Sequence, residues 1–142
     1  MRLLDELRAR LPEACIQTDR DVMAGYEQDR ALFEKAGTAA VLVMPRTTEE
    51  VVAALAAARA SSVPVVPRGA GSGLTGASNA VNGCILLSLH RMNRILDIDV
   101  ANRMARVQPG VLKQCRHADE GPHVFLRRRR VHHDAAAAVG RA

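Results

Sequence analysis

Residues 67–76 of the chain are Pro67-Arg68-Gly69-Ala70-Gly71-Ser72-Gly73-Leu74-Thr75-Gly76, a segment in which four of the last eight residues are glycine. Glycine allows backbone N–H groups to turn inward, and its missing side chain lets an anion approach the backbone closely. A plain flexible turn is the alternative, but ten residues are long for such a turn in a compact fold. The segment therefore predicts a loop that binds an anion and that a pyrophosphate can approach closely, with the hydroxyl groups of Ser72 and Thr75 as further donors.

The sequence before this glycine loop predicts a strand, a helix and a second strand. A continuous apolar run at residues 40–44 is typical of a buried strand. Thr47 and Glu50 form a capping box, in which Thr47 caps a helix that continues to about residue 60 and Glu50 reaches back to Thr47. Residues 63–66 then form the second strand. Such a unit predicts two parallel strands joined by a right-handed crossover.

The sequence after the loop predicts a third strand and a hairpin. Residues 84–89 form an apolar run, and residues 95–100 alternate apolar and acidic side chains. A turn at Asn102-Arg103 makes residues 104–108 the hairpin partner, Pro109-Gly110 ends it, and a helix is expected from Val111.

The N-terminal part adds little to this pattern. Leucines at helical spacing predict a first helix limited by Pro12, and the polar stretch that follows, to about Gly37, predicts no element. Together these patterns predict an α+β fold with a small mixed sheet and flanking helices.

A Rossmann dinucleotide site is excluded. Residues 71–76 satisfy the pattern G-x-G-x-x-G, and Asp97 follows at about the spacing of a ribose-binding acid. That motif must open a helix whose N-terminus faces the phosphates. Residues 77–83 end in a turn dipeptide directly before the next strand, which leaves no room for the helix.

The positive charge of the chain comes from its C-terminal segment. Residues 1–112 carry 13 basic and 12 acidic side chains, a net charge of +1, whereas residues 113–142 carry 7 and 3, a net charge of +4. Aromatic residues make up only 2% of the sequence, so stacking on bases has little support. Nucleic-acid binding is therefore not expected.

Neither a metal site nor a membrane span is expected. The 3 cysteines have no zinc or disulfide spacing, and the histidines, including His132-His133, have no recognised ligand spacing. Charged residues interrupt the N-terminus, which argues against a signal peptide. No stretch approaches the roughly 18 apolar residues of a membrane helix. The few cysteines fit a reducing compartment, so a cytoplasmic location is expected.

Several blocks of this sequence resemble a known family in order and spacing. They are residues 43–51, 63–76, 93–98 and 105–111. The chain is similar over about residues 20–112 to flavoproteins of the vanillyl-alcohol oxidase/PCMH type, and within them to the glycolate oxidase D-subunit and D-lactate dehydrogenase group. The resemblance implies the N-terminal subdomain of a PCMH-type FAD-binding domain.

The resemblance also implies a cofactor, a reaction and site residues. Residues matching Pro67 to Gly76 cradle the FAD pyrophosphate in that family, chiefly through backbone N–H groups, and residues matching Pro109-Gly110-Val111 lie close to the cofactor. Some relatives attach flavin through a His at the position of Ser72, so FAD should be non-covalent here. The implied reaction is oxidation of a small 2-hydroxy acid, with partner subunits as in a glycolate oxidase complex.

The C-terminal segment departs from the family. The expected Pro-Asp-Pro-Ser-Ser-like and Ile-Gly-Gly-Asn-like blocks are replaced by a segment containing Arg127-Arg128-Arg129-Arg130. The boundary is expected at residue 112, with residues 113–142 disordered, locally helical or translated out of frame. No catalytic residue is assigned, and this chain alone is expected to be inactive. A non-catalytic flavin-binding or scaffold fragment, and an FAD oxidoreductase acting on a sugar, phenol or cell-wall precursor, stay open.

Overall fold

The structure is a computed structural model that describes residues 3–118, 121–127 and 136–139. The chain divides into two compact units, residues 1–89 and residues 90–142. Within the described residues, no helix combines the length and the apolar character needed to cross a membrane.

Three α-helices are described in the first unit. They are α1 (Leu3–Arg8), α2 (Arg20–Glu27) and α3 (Thr48–Ser61), and a 3-10 turn, Glu13–Cys15, follows α1. The sequence analysis missed α2, whose start is fixed by Asp19: its carboxylate accepts from the N–H groups of Asp21 at 2.9 Å and Val22 at 3.4 Å. Its apolar face is narrow, with Met23 as its buried residue, so the segment looked uniformly polar.

The predicted cap of α3 is confirmed, with one change. The N–H of Glu50 donates to Thr47 Oγ1 at 3.3 Å, as a capping box requires. The Glu50 carboxylate, however, accepts from the N–H of Arg46 at 2.6 Å, one residue earlier than expected. At the other end Ser62 takes the left-handed conformation with φ of 53° and closes the helix.

The sheet of the first unit is mixed, as predicted. It contains β1 (Ile16–Gln17), β2 (Val41–Val43), β3 (Val65–Arg68) and β4 (Ile85–Ser88), in the order β1-β2-β4-β3. β4 pairs in parallel with both β2 and β3, and β1 pairs antiparallel with β2. The two strands flanking α3 are therefore parallel, as expected, but β4 lies between them.

Both faces of this sheet are covered, which explains its continuous apolar strands. One face packs against α1 and α3 through Leu7, Leu11, Val41, Val43, Ala54, Ala57, Ala58, Ile85 and Leu87. The other packs against α2 and the connecting segments through Met23, Ala39, Leu42, Met44, Val66, Ala80, Cys84 and Leu86. Because side chains alternate along a strand, neighbouring residues of β2 and β4 enter different clusters.

The second unit begins with the predicted hairpin. β5 (Ile95–Asp99) pairs antiparallel with β6 (Met104–Val107), and Arg103 in the turn has a φ of 54°. The Asp99 carboxylate accepts from the backbone N–H of Asn102 at 3.0 Å and from its side-chain amide at 2.7 Å.

The helix expected from Val111 is wrong. The chain enters β7 (Leu112–Ala118), which pairs antiparallel with β8 (Gly121–Arg127), and β8 pairs with β9 (Ala136–Val139). The backbone groups of β7 pair with those of β8, which follows it in the chain. No local pattern before Leu112 predicts this pairing. For the described parts of residues 113–142 the structure thus gives strands where disorder or a local helix was expected. The four-arginine run is described only at Arg127, and the boundary at residue 112 stays a prediction.

Candidate functional site

The glycine loop leaves the sheet at the carboxyl end of β3. Pro67 and Arg68 are still strand residues, in register with Leu87 and Ser88 of β4, and the loop proper begins at Gly69. The carboxyl ends of parallel strands are where open α/β sheets bind ligands. The predicted residues 67–76 are thus presented together at the edge of the sheet where a ligand site is expected.

Two of the four glycines are required by the fold itself. Gly71 has a φ of 66° and Gly76 a φ of 75°, a region that other L-residues rarely adopt. A side chain at Gly71 would overlap the guanidinium of Arg68, and one at Gly76 would lie 3.1 Å from Glu34 Cβ. Substitution at either position must therefore disturb the loop.

The other two glycines leave open space. A Cβ at Gly69 would meet nothing within 4 Å, and one at Gly73 would lie 3.5 Å from Asp29 Oδ2, an ordinary contact. The protein's own packing therefore does not explain glycine at these two positions. A ligand that approaches the backbone closely would explain it.

The loop also carries free backbone donors. In the part of the chain that the structure describes, the N–H groups of residues 69–76 donate to no other protein atom. Ser72, Gly73, Leu74 and Thr75 are exposed, so this backbone is open to a ligand. Successive unpaired N–H groups in a turn-rich loop form an anion-binding concavity.

Arg68 lies beneath the loop as a buried cation. Arg68 is only 7% exposed, and its Nη2 donates to the carbonyl of Gln28 at 3.0 Å. Nη1 is buried and has no hydrogen-bond partner within the described residues. Burial lowers the pKa of Arg68, and the nearby Asp29 and Tyr26 oppose that shift, so the group stays charged at neutral pH.

A second segment, residues 28–38, holds the loop in place, and we name it the bracing segment. Its Arg30 N–H donates to the carbonyl of Gly73 at 3.1 Å. Asn79 joins the two segments: its Oδ1 accepts from the N–H of Asp29 at 2.7 Å, and its Nδ2 donates to the carbonyl of Glu34 at 3.1 Å.

Asp29 completes this connection. Its Oδ1 accepts from the N–H of Ala31 at 2.8 Å, and its Oδ2 accepts from the hydroxyl of Ser78 at 3.3 Å. The sequence analysis assigned no role to Asp29 or Asn79. The only available signal was that both residue types favour turns and that both positions lie outside the predicted helices and strands.

The C-terminal end of the loop borders a cavity of about 300 Å³. Thr75 and Gly76 form one side, and Glu34 and Lys35 of the bracing segment also line it. The volume is at the lower end of the range of small-molecule sites.

The remaining predicted residues, Pro109-Gly110-Val111, lie in the second unit. The N–H of Gly110 donates to the carbonyl of Met92 at 2.7 Å, and the N–H of Val111 donates to the carbonyl of Gln108 at 3.1 Å. These bonds make the three residues a fixed turn after β6. Among the described residues, no group of three or more His, Cys, Asp or Glu side chains could hold a metal ion.

Comparison with known proteins matches the part of the chain that contains this loop to a cofactor-binding family. Residues 39–114 match the family described as FAD binding domain, a range that contains the glycine loop and Pro109–Val111. An FAD-linked oxidoreductase of Mycobacterium tuberculosis is 40% identical over 112 residues, which are 76% of this chain and 24% of that protein.

Two further relatives act on 2-hydroxy acids by name. The glycolate oxidase subunit GlcD of Escherichia coli K12 is 38% identical over 108 residues, 76% of this chain and 21% of GlcD. The D-2-hydroxyglutarate dehydrogenase of Stutzerimonas stutzeri is 34% identical over 110 residues, 78% of this chain and 24% of that enzyme. This chain thus spans about a quarter of the length of these relatives or less.

The fold comparison agrees with the family. The structure of 4-ethylphenol oxidase from Gulosibacter chungangensis, in complex with isoeugenol, superposes with a TM-score of 0.68 at 25% identity, covering 77% of this chain and 22% of that chain. The sheet, the loop at its edge and the sequence match lead to one assignment: the chain belongs to the FAD-binding domain family of the PCMH-type FAD-linked oxidoreductases.

Proposed function

We propose that the loop of residues 67–76, chiefly through the backbone N–H groups of residues 69–76, binds the pyrophosphate of FAD without a covalent bond. We also propose that the chain is the cofactor-binding part of an oxidoreductase acting on a small 2-hydroxy acid. One observation supports the site above all: the backbone N–H groups of residues 69–76, six of which belong to exposed residues, have no acceptor among the described residues. Two fully charged phosphates would supply those acceptors.

The residues present fit this cofactor. Gly69 and Gly73 leave open the space that a phosphate needs beside the backbone, and Gly71 and Gly76 allow the chain to turn around it. The buried Arg68 side chain lies against Gly71, beneath the exposed part of the loop. The loop contains no histidine, so no residue matches the covalent attachment point of some PCMH-type flavoproteins. We propose Pro109-Gly110-Val111 as a second contact with the same cofactor.

The proposed chemistry divides between cofactor and protein. Bound FAD would supply the acceptor for the hydride that leaves the α-carbon of the 2-hydroxy acid. The part played by this chain is to bind and orient the cofactor through the loop, with the bracing segment preventing the loop from collapsing. The similarity to glycolate oxidase subunit GlcD and D-2-hydroxyglutarate dehydrogenase supports the substrate class. The end of the family match at residue 114 supports a boundary near residue 112.

Equilibrium dialysis tests the cofactor assignment. The chain should bind FAD saturably, ADP should compete because it carries the same pyrophosphate, and riboflavin should not. Acid precipitation should then release all flavin to the supernatant. Flavin that stays on the pellet would contradict non-covalent binding, and competition by riboflavin would contradict the pyrophosphate site.

The substrate class needs a separate test. The gene region should be sequenced beyond the segment that encodes this chain, to find whether an adjoining frame encodes the remaining parts of the relatives. A protein that contains this chain together with those remaining parts should oxidise glycolate, D-lactate or D-2-hydroxyglutarate rather than 4-ethylphenol or a sugar. Preference for a phenol or sugar would favour the other substrate class within the same fold, and no adjoining frame would favour a non-catalytic fragment.

A further inference from the structure

The side chain of Arg68 is unusual because it is charged, almost entirely buried and only partly hydrogen-bonded. At 7% exposure it makes one described hydrogen bond, from Nη2 to the Gln28 carbonyl, and its Nη1 has no described partner. Burying a charge with incomplete partners is costly, so such a group seldom adds to stability. A role in shaping the neighbouring backbone is a better explanation.

The geometry of Arg68 and Gly71 shows that the part of the backbone shaped by Arg68 is the turn of the glycine loop at Gly71. A Cβ built on Gly71 would overlap Nη2 and Cζ of Arg68, with Nε at 3.0 Å. The loop therefore turns closely around the guanidinium, and the positive φ of Gly71 is what permits that turn. The conformation of Gly71 and the position of the Arg68 side chain depend on each other.

The hydrogen bond to Gln28 extends this effect to the bracing segment. The Gln28 side chain donates to the carbonyls of Ala31 at 3.2 Å and Glu34 at 2.8 Å, and it accepts from the N–H of Ala36 at 3.1 Å. Gln28 thus fixes the fold of the segment from which Arg30 reaches Gly73. Arg68 therefore contacts the glycine loop at Gly71 and also binds Gln28, the residue whose hydrogen bonds organise the bracing segment.

Building on the proposed FAD site, we propose that Arg68 is a positioning residue, which sets the shape of the glycine loop from beneath without touching the cofactor. Its guanidinium serves as a support around which residues 69–76 turn, with their N–H groups left free for phosphate. Because the group is nearly fully buried, it acts through Gly71 and Gln28. Arg68 is thereby distinguished from the exposed backbone that meets the ligand.

A double-mutant cycle in the 142-residue chain without FAD tests this arrangement. Gly71→Ala should lower the unfolding midpoint in the wild-type background because its methyl group meets Arg68. In an Arg68→Ala background the same substitution should cost less, since only the strain of positive φ remains. Equal costs in the two backgrounds would overturn the proposal. If Arg68→Ala does not fold, Arg68→Lys replaces it, because the slimmer lysine end also relieves the overlap.

Two further measurements separate positioning from direct contact. Arg68→Met should shift the amide resonances of Gly69, Gly71 and Gly73 and weaken FAD and ADP binding about tenfold, with Arg68→Lys recovering part of both. The dependence of FAD affinity on salt should stay unchanged, because no phosphate contact is lost. A reduced salt dependence with unchanged glycine resonances would instead show that Arg68 binds phosphate directly.

The control is Arg59→Met, which removes an exposed arginine of α3 and should change neither the loop resonances nor FAD affinity. The cycle and the resonance shifts need no cofactor, so the two hypotheses can fail separately. Coupling between Arg68 and Gly71 in a chain that does not bind FAD would reject the proposed function and support the positioning role. FAD binding without coupling between Arg68 and Gly71 would support the proposed function and reject the positioning role.

Discussion

Asn79 and Asp29, 50 residues apart in sequence, are joined by a buried hydrogen bond in which Asn79 Oδ1 accepts from the Asp29 N–H at 2.7 Å. Asn79 also receives support from the loop, since its own N–H donates to the carbonyl of Gly76 at 3.0 Å. One side chain therefore connects the end of the glycine loop to the bracing segment. The site depends on this long-range connection as well as on the glycines.

Asn79→Ala should destabilise the first unit by about 1–3 kcal/mol, because it leaves the buried Asp29 N–H without an acceptor. Urea unfolding followed by circular dichroism measures the change. Asn82→Ala is the matched control: Asn82 accepts from the N–H of Thr38 at 2.8 Å, but at an exposed position where water can replace it. An equal loss from both substitutions would show that the Asn79 bond has no special role.

Substitutions of the glycines should separate folding from cofactor binding. Gly73→Val and Gly69→Val should lower the unfolding midpoint much less than Gly71→Val, since neither position has a positive φ and a Cβ there meets no atom closer than 3.5 Å. Both changes should block phosphate and abolish FAD binding. Gly71→Val should lower both stability and FAD binding, because it combines positive φ with overlap. Thermal unfolding and FAD titration of each variant check this.

Gly25→Ala provides the control for these variants. Gly25 lies in α2 with nothing within 4 Å of a built Cβ. The change should stabilise the helix by about 0.5–1 kcal/mol without affecting FAD. Normal FAD binding by Gly73→Val would contradict the assignment of the loop to pyrophosphate.

The helix that the sequence analysis missed offers a direct test of the first unit. Asp19 caps α2 through two backbone N–H groups. Asp19→Ala should therefore cost about 1 kcal/mol of unfolding free energy, and Asp19→Asn should cost less because asparagine also caps helices well. No loss from Asp19→Ala would argue that α2 does not begin there.

The hairpin of the second unit should respond to acid. Hydrogen bonds from the Asn102 side chain and then its backbone lower the pKa of Asp99. A carboxylate with a lowered folded pKa stabilises the fold above its unfolded pKa of about 3.9, and loses that effect as the pH falls through the folded value. NMR titration of the Asp99 carboxyl should show this lowered pKa, and Asn102→Ala should return it toward the ordinary value. An unchanged pKa in the variant would mean that Asn102 is not the cause.

The sequence predicted those parts of the fold that depend on neighbouring residues. Thr47 caps α3, the apolar runs form β2, β3 and β4, and the turn before Met104 closes the hairpin, because each depends on local chemistry. The placement of β4 between β2 and β3 depends on pairing across the chain, which an apolar run does not specify.

The candidate site likewise contains features that local sequence predicts and features that depend on long-range contacts. Glycine spacing at residues 69–76 predicts an anion loop, and the structure shows that Gly71 and Gly76 are needed for its turns because both have a positive φ. The contacts of Arg68, Asp29 and Asn79 join segments about 40 to 50 residues apart, so no local sequence pattern predicts how these side chains hold the loop. Buried polar contacts of this kind require the folded structure to be recognised.

The most direct measurement of the central claim is an NMR titration of the ¹⁵N-labelled chain with FAD, ADP and riboflavin in turn. FAD and ADP should shift the amide resonances of residues 69–76 saturably, because their pyrophosphate accepts from those N–H groups, and riboflavin should leave them unchanged. Gly73→Val should abolish the shifts. Unchanged loop resonances at saturating FAD, or equal shifts with riboflavin, would contradict the claim that this loop binds the pyrophosphate.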